Sequence, residues 1–227
     1  MLELAGREYD VLGAFFTTIQ LTVLSAIGAL VLGTILAAMR LSPVPMLNWL
    51  GTAYVNVVRN TPLTLIILFC SFGLAQTLGI TLVDSQSTTS IVDSNFRLAV
   101  LGLTVYTASF VCETIRAGVN TVPLGQAEAA RSLGLTFIQN LRIVLLPQAF
   151  RAVLIPLGSV LIALTKNTTI ASAIGVAEAA LLMSTLIENE SDKFTAVFLV
   201  IAAGFIVLTL PTGLVFGAVA KKYQVKR

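Results

Sequence analysis

The chain of 227 residues is 56% hydrophobic and only 11% charged, and its mean hydropathy is +0.93. Soluble globular domains carry about 25% charged residues, so this composition excludes an ordinary soluble protein and predicts an all-α integral membrane protein. The net charge is only +3, and the chain lacks histidine, the commonest metal ligand and general base, so we predict no metal site.

Five apolar stretches, with their flanking residues, are long enough to cross a bilayer as helices, which takes about 20 residues. Thr61 and Pro62 match an N-cap and a first helical residue, so we expect the second span to begin there. The pattern predicts one transmembrane domain, 1–227. Its five spans are expected at 15–39, 60–83, 97–117, 143–165 and 194–220.

Small residues recur every four positions along the first span, at Ser25, Ala29, Gly33 and Ala37. A ridge of small side chains lets two helix backbones approach closely in a membrane. We therefore expect this ridge to pack against another helix of the same chain.

The distribution of lysine and arginine predicts the orientation, because cytoplasmic segments carry an excess of these residues. Five spans place the termini on opposite sides of the membrane. With the amino terminus outside, ten of the 14 basic residues lie in cytoplasmic segments and four in outer segments. We expect the amino terminus outside, and both 121–147 and the carboxyl-terminal tail in the cytoplasm.

The segment 121–147 is too polar for a span, since it contains Glu128 and Arg131. Its run of helix formers is expected to end at Gly134, and at 1.5 Å per residue this helix is only about 12 Å long. Thr136 and Gln139 have the spacing of a capping box for a second short helix. A thin, alanine-rich helix suits docking into a groove of a partner, but a simple connector between spans fits equally well.

Several parts of the chain resemble a known family. The EAA at 128–130, Gly134 and the VLLP that ends at Pro147 are similar to the EAA loop in permease subunits of bacterial ATP-binding-cassette (ABC) importers; the usual Ile is Val144 here. Nearly the whole chain looks like the polar-amino-acid (HisMQ-type) branch. The similar stretches are TTIQLTVLSAIGALVLGTILAAMRLS, VRNTPLTLIILF, YTASFVCETIRAGVNTVPLGQAEAARSLG, LPQAFRAVLIPLGS and ALTKNTTIASAIGVAEA.

The resemblance implies a type I importer permease in the bacterial cytoplasmic membrane. Its implied partners are two ATPase subunits that hold ATP and Mg²⁺, a second permease, identical or homologous, and an extracytoplasmic protein that delivers a polar amino acid. The chain itself is expected to bind no cofactor. The resemblance assigns the ATPase-coupling segment to Glu128, Ala129, Ala130, Gly134 and Pro147.

The motif variants look most like those of glutamate systems. Many relatives have PLGN and KDTS where this chain has PLGS, ending at Ser159, and KNTT, with Asn167. A pocket expected to carry an acidic group at position 167 is neutral here. This departure favours an anionic or neutral ligand over a basic one.

Ionisable and polar residues near the span ends are candidates for a substrate pathway, because such residues are costly in a membrane. Glu113 and Arg116 lie three residues apart at the inner end of the third span, where a structural ion pair is the favoured alternative to ligand contact. At the end of the fourth span, amine and hydroxyl groups suit the binding of a substrate carboxylate. An equal alternative is that the lysine snorkels to the membrane surface and the polar residues only end the helix. These residues are Lys166, Asn167, Thr168 and Thr169.

Glu178 is the last candidate of the pathway. Its carboxylate suits a substrate α-amino group or a contact with the delivery protein, whereas a solvated outer helix is the slightly favoured alternative.

The chain lacks the G-x-x-x-x-G-K-[ST] phosphate loop, so we expect no ATP hydrolysis by the chain itself. An ion-coupled secondary transporter and a non-transporting scaffold that recruits a cytoplasmic partner are the alternatives. Secondary transporters usually have internal repeats, and no repeat is seen here. The sequence leaves open the exact amino acid, the permease pairing, the residues that touch substrate, and the rate and regulation of import.

Overall fold

The computed structural model describes residues 2–4, 7–80, 82–83 and 90–223. These residues are almost entirely helical, apart from a short antiparallel hairpin near the amino terminus in which Leu2–Leu4 pairs with Arg7–Tyr9. The helices are α1 (Val11–Leu41), α2 (Pro45–Arg59), α3 (Leu63–Leu68), α4 (Ser90–Asn120), α5 (Leu124–Ser132), α6 (Phe137–Asn140), α7 (Leu146–Asn167), α8 (Ala179–Asn189) and α9 (Phe194–Tyr223). Wider π-helical turns follow α3 and precede α7, at Phe69–Thr77 and Leu141–Leu145, and 3₁₀ turns occur at Thr168–Ile174 and Ser191–Lys193.

Four helical stretches among the described residues are long and apolar enough to cross a membrane. They are Val11–Leu41, Ser90–Asn120, Pro147–Ile174 and Ser191–Lys222. A fifth candidate is a bent pair, in which Pro45–Arg59 meets Leu63–Thr77 at 103°. By length and composition, this part of the chain therefore offers four or five spans.

The bend between α2 and α3 corrects the expected start of the second span. Thr61 does not cap α3; its hydroxyl donates a hydrogen bond to the Val57 carbonyl of α2, at 2.8 Å. Pro62 is the N-cap residue, with ψ of 135°, and no side chain caps the helix there. Because proline cannot donate a backbone hydrogen bond and disfavours helical geometry in the residue before it, α2 ends here and the chain changes direction.

The predicted small-residue ridge of α1 is confirmed as an interhelical contact. Ser25, Ala29, Gly33 and Ala37 are all buried. A Cβ atom at Gly33 would lie 2.6 Å from the Val111 Cβ and 2.9 Å from a backbone oxygen of α4. The two longest apolar helices therefore touch almost backbone to backbone, as small residues in a membrane permit.

Two buried apolar clusters hold α2, α3 and α7 against α1 and α4. One joins α1 to α3, α4 and α7 through residues that include Leu21, Ile67 and Leu164. The other lies further along α1 and joins it to α2 and α4, with Val55 of α2 among its members. Large apolar side chains on the opposite faces are exposed, as expected for helices that contact lipid.

Candidate coupling and translocation sites

The polar segment after α4 has the local geometry expected from its sequence. Helix α5 ends at Ser132, and Gly134 follows with a left-handed φ of +84°. The Gly134 N–H donates to the Arg131 carbonyl, and the Leu135 N–H donates to the Ala130 carbonyl, at 2.9 and 3.2 Å. These two bonds form a Schellman motif, so the prediction that Gly134 ends the helix is confirmed.

The capping box of the second short helix is confirmed as well. The Thr136 N–H donates to the Gln139 Oε1 at 2.9 Å, and the Gln139 N–H donates to the Thr136 hydroxyl at 3.4 Å. Helix α6 has only four residues, and the chain continues through a π-helical turn into α7. Pro147 is exposed and is the second residue of α7, directly after the π-helical turn.

The EAA residues of α5 divide between two faces of the helix. Glu128 and Ala129 are exposed, whereas Ala130 is buried. Leu133, at the end of the helix, is 82% exposed. Neither Glu128 nor Arg131 has an ion-pair partner among the described residues, so the surface presents one large apolar side chain beside two uncompensated charges.

The carboxyl-terminal ends of α1, α2 and α4 meet at a cluster of four charged residues centred on Glu113. Arg40 of α1 forms an ion pair with the Glu113 Oε1 and is buried. The Nη1 atoms of Arg59 and Arg116 lie 4.0 and 3.7 Å from the Glu113 carboxylate. Three guanidinium groups around one carboxylate leave the cluster with a net charge of +2.

Sequence reasoning found only two members of this cluster, Glu113 and Arg116, because they are neighbours on one helix. It missed Arg40 and Arg59, each of which lies at the end of a different helix. Their only signal in the sequence was their position at the border of apolar segments, which also suits ordinary topological anchors.

A cavity of about 300 Å³ lies between α4 and α7. The Thr107 side chain is 97% buried, yet its hydroxyl has no hydrogen-bond partner among the described residues. None of the lining residues is charged, and the Arg59 guanidinium lies 6.0 Å from the ring centre of Phe110, one of the lining aromatic residues. The lining is formed by Tyr106, Thr107, Phe110, Ser159, Val160, Ala163, Leu164 and Asn167.

Of the four candidates at the end of the fourth predicted span, Asn167 lines this cavity. Thr168 is fully buried and its hydroxyl donates to the Thr165 carbonyl at 2.8 Å. The Thr169 hydroxyl donates to the Lys166 carbonyl at the same distance, and the Lys166 side chain is exposed. The two threonine hydroxyls thus have local backbone partners, and Asn167 is the one of the four candidates that lines the cavity.

Glu178 is not on a solvated helix, and that alternative is wrong: its side chain is fully buried. The carboxylate is the N-cap of α8 and accepts hydrogen bonds from the N–H groups of Ala180 and Leu181, at 2.9 and 3.0 Å. The next residue, Ala179, donates its N–H to the Thr18 hydroxyl of α1. Burial raises the pKa of Glu178, and the two backbone hydrogen bonds only partly offset this effect.

The position of Glu178 also separates it from the other candidates. It borders a cleft of about 540 Å³ between α1 and α8, which Asp10 and Thr17 also line, rather than the cavity of Asn167. Its burial was not visible in the sequence, because the residues that cover it include α1, more than 150 positions away.

A bundle of long apolar helices with a polar helix–turn–helix between two of them, and a partly polar cavity inside, defines a multi-pass membrane transport protein. Residues 29–225 match the family described as the binding-protein-dependent transport system inner membrane component, and the chain belongs to this family. The predicted ABC importer permease and its location in the inner membrane are thereby confirmed. Membership also decides against the ion-coupled carrier and the non-transporting scaffold.

Curated relatives are similar over nearly the full length. The chain is 61% identical to the glutamate transport system permease protein GluC of Corynebacterium efficiens, over 96% of each chain. It is 58% identical to GluC of Corynebacterium glutamicum, again over 96% of both. The probable glutamine ABC transporter permease protein GlnM of Bacillus subtilis is 35% identical over 92% of this chain and 91% of the relative.

Two solved structures have the same fold. An amino acid ABC transporter crystallised with histidines superposes with a TM-score of 0.80, at 27% identity and 93% coverage of both chains. The inward-facing MetNI methionine ABC transporter superposes with a TM-score of 0.73 and coverage of 95% and 96%, at 18% identity, which shows the fold alone.

Proposed function

We propose that the chain is the permease of an ATP-driven importer that carries glutamate into the cell. The observation that carries this proposal is the identity of 61% and 58% to two glutamate permeases over nearly the whole of each chain. The partners are two cytoplasmic ATPase subunits that bind ATP and Mg²⁺, a second permease, and an extracytoplasmic glutamate-binding protein.

The whole chain acts as one membrane domain with five spans and its amino terminus outside. The bent pair of α2 and α3 supplies the fifth span, and the bias of ten basic residues against four supports the orientation. Cysteines introduced at position 126 and at positions within 84–94 should then react with impermeant reagents from opposite sides of the membrane. Labelling of both from the same side would contradict five spans.

Helix α5 is the coupling helix that docks into the ATPase. The exposed Glu128, Ala129 and Leu133 support this role, since an apolar anchor flanked by charges suits a groove on a partner. The left-handed turn at Gly134 sets the end of this surface, and Ala130 seats it on the rest of the chain. Closure of the ATPase subunits displaces α5 and biases the bundle toward its outward-facing state.

The substrate passes along the cavity between α4 and α7. The unpartnered Thr107 hydroxyl and the Asn167 amide offer hydrogen bonds to the α-amino and α-carboxylate groups of an amino acid. None of the described residues that line the cavity is charged, and the cluster of Arg59, Glu113 and Arg116 beside it has an excess of positive charge. This balance favours an anionic substrate such as glutamate over a basic one.

Transport by the reconstituted complex tests this function. The permease, its ATPase and its binding protein are placed in liposomes, and uptake of labelled glutamate is measured with and without ATP. We expect uptake that requires ATP, the binding protein and Mg²⁺, and that excess unlabelled glutamate inhibits more than arginine does. Uptake that persists without ATP and follows a proton or sodium gradient would overturn the proposal.

A further inference from the structure

A pair of glutamine side chains joins α5 to α7. The Gln148 Nε2, in the first turn of α7, donates a hydrogen bond to the Gln126 Oε1 of α5 at 2.6 Å. The same nitrogen donates to the Val144 carbonyl at 3.1 Å. The two glutamines are 22 positions apart, and the segment between them contains the left-handed turn at Gly134 and the four-residue helix α6.

The chemistry of this pair is asymmetric. A carbonyl oxygen only accepts hydrogen bonds, so the Gln148 atom beside the Val144 carbonyl must be the amide nitrogen rather than the oxygen. That nitrogen has two hydrogens, one for the Val144 carbonyl and one for Gln126. The group that Gln126 contributes is therefore an acceptor, and Gln148 supplies both donors.

The amino-terminal end of α7 also packs closely against α4. Ala149 and Val153 are buried against Gly118 of α4, where a Cβ atom would lie 2.2 Å from the Val153 Cγ2 and 3.1 Å from the Ala149 oxygen. Further along the same helix, Ser159 and Asn167 line the cavity between α4 and α7. A displacement of the start of α7 therefore moves the same helix that lines the substrate pathway near its other end.

We propose that the Gln126–Gln148 pair transmits the movement of the coupling helix to α7, so that both glutamines are positioning residues for ATP-driven transport. This inference rests on the proposed role of α5 as the coupling helix. The turn at Gly134 and the short helix α6 let the two helices move separately along the chain. The amide pair ties them together across the gap, so loss of the pair lets α5 follow the ATPase without α7.

The asymmetry predicts opposite results for two isosteric substitutions. Gln126→Glu keeps an acceptor for the Gln148 amide, and the hydrogen bond survives with charge assistance. Gln148→Glu removes both donors and sets a carboxylate against the Val144 carbonyl and the Gln126 oxygen. Gln139→Ala is the matched control, because Gln139 is a glutamine of the same segment whose side chain caps only α6.

The experiment uses the full complex in liposomes and measures glutamate imported per ATP hydrolysed, with co-purification of the ATPase as the check of assembly. We expect Gln148→Glu, Gln148→Ala and Gln126→Ala to keep ATPase activity but to lower this ratio roughly twofold to tenfold, the range that one net hydrogen bond represents. Gln126→Glu and Gln139→Ala should stay within about twofold of the unmodified protein. The double alanine variant should be no worse than Gln148→Ala alone, because Gln148→Ala already removes the bond to Gln126.

Equal import-to-ATP ratios for Gln126→Glu and Gln148→Glu would overturn the inference. A wild-type ratio in Gln148→Ala, or additive losses in the double alanine variant, would overturn it as well. A loss of complex assembly in Gln148→Ala with normal coupling in assembled Gln148→Glu would overturn it too. These outcomes differ from failure of the proposed function, in which the unmodified complex itself shows no ATP-dependent glutamate uptake.

Discussion

Replacement of Glu113 by glutamine is the most direct test of the ion-pair cluster. This one carboxylate serves arginines from α1, α2 and α4, and glutamine has nearly the same shape without the charge. In Glu113→Gln, the Arg40 side chain, which is only 7% exposed, retains a positive charge without an anionic partner. The three helix ends then lose their common anchor.

The expected loss of stability depends on how deeply each ion pair is buried. Removal of one partner of a buried ion pair costs about 3–5 kcal/mol, because the other charge stays buried without compensation. An exposed pair contributes only about 0–1 kcal/mol. The Arg116 side chain is 42% exposed, so Arg116→Gln belongs to the second class. For a chain of this length, 1 kcal/mol shifts Tm by about 2–4 °C, so we expect a loss of roughly 6–20 °C for Glu113→Gln and at most about 4 °C for Arg116→Gln.

Thermal unfolding of the detergent-purified protein, followed by circular dichroism at 222 nm, measures both shifts. The double variant Arg40→Met with Glu113→Gln removes both charges of the buried pair, and it should unfold at a higher temperature than Glu113→Gln alone. Equal Tm values for Glu113→Gln and Arg116→Gln would refute the argument. A double variant that is less stable than Glu113→Gln would refute it as well.

Three further changes test other parts of the structure. Gly33→Ala puts a Cβ atom 2.9 Å from a backbone oxygen of α4, so it should cost roughly 1–3 kcal/mol and lower Tm, whereas Gly217→Ala, with open space around it, should not. The Tm of Glu178→Gln minus that of the unmodified protein should rise with pH: because the folded-state pKa of Glu178 is raised, the stabilising contribution of this residue is present below the usual pKa of 4.5 and is lost as pH rises through the folded value. Gly134→Ala forces alanine to φ of +84°, which costs about 1–2 kcal/mol, and should at least halve ATP-driven uptake, whereas Gly217→Ala, in open space and outside the coupling helix, should leave uptake unchanged.

Each of these three predictions has a contradicting result. Equal Tm changes in Gly33→Ala and Gly217→Ala would argue against close contact between α1 and α4. A Tm difference for Glu178→Gln that does not depend on pH would argue against a buried carboxylate. Uptake that falls equally in Gly134→Ala and Gly217→Ala would show that the loss does not come from the left-handed turn at Gly134.

The coupling segment was predictable because its signals are local. Gly134 ends α5 through its own backbone conformation, and Thr136 and Gln139 cap α6 through atoms three positions apart. The long apolar stretches were predictable for a related reason, since twenty consecutive apolar residues are a property of the chain itself. In contrast, the sequence did not predict α2, because polar residues interrupt its apolar residues and it contains no long apolar run.

The amino-acid sequence alone established a helical membrane permease, because composition, apolar length and the EAA spacing are all carried by residues near one another in the chain. Tertiary structure alone decided what the polar residues do. Arg40 and Arg59 form ion pairs with Glu113 from separate helices. Glu178, for which the sequence favoured a solvated helix, is a buried helix cap. Ion pairs, burial and cavity lining depend on which distant segments meet. That is settled by the packing of α1, α4 and α7, which no local pattern encodes.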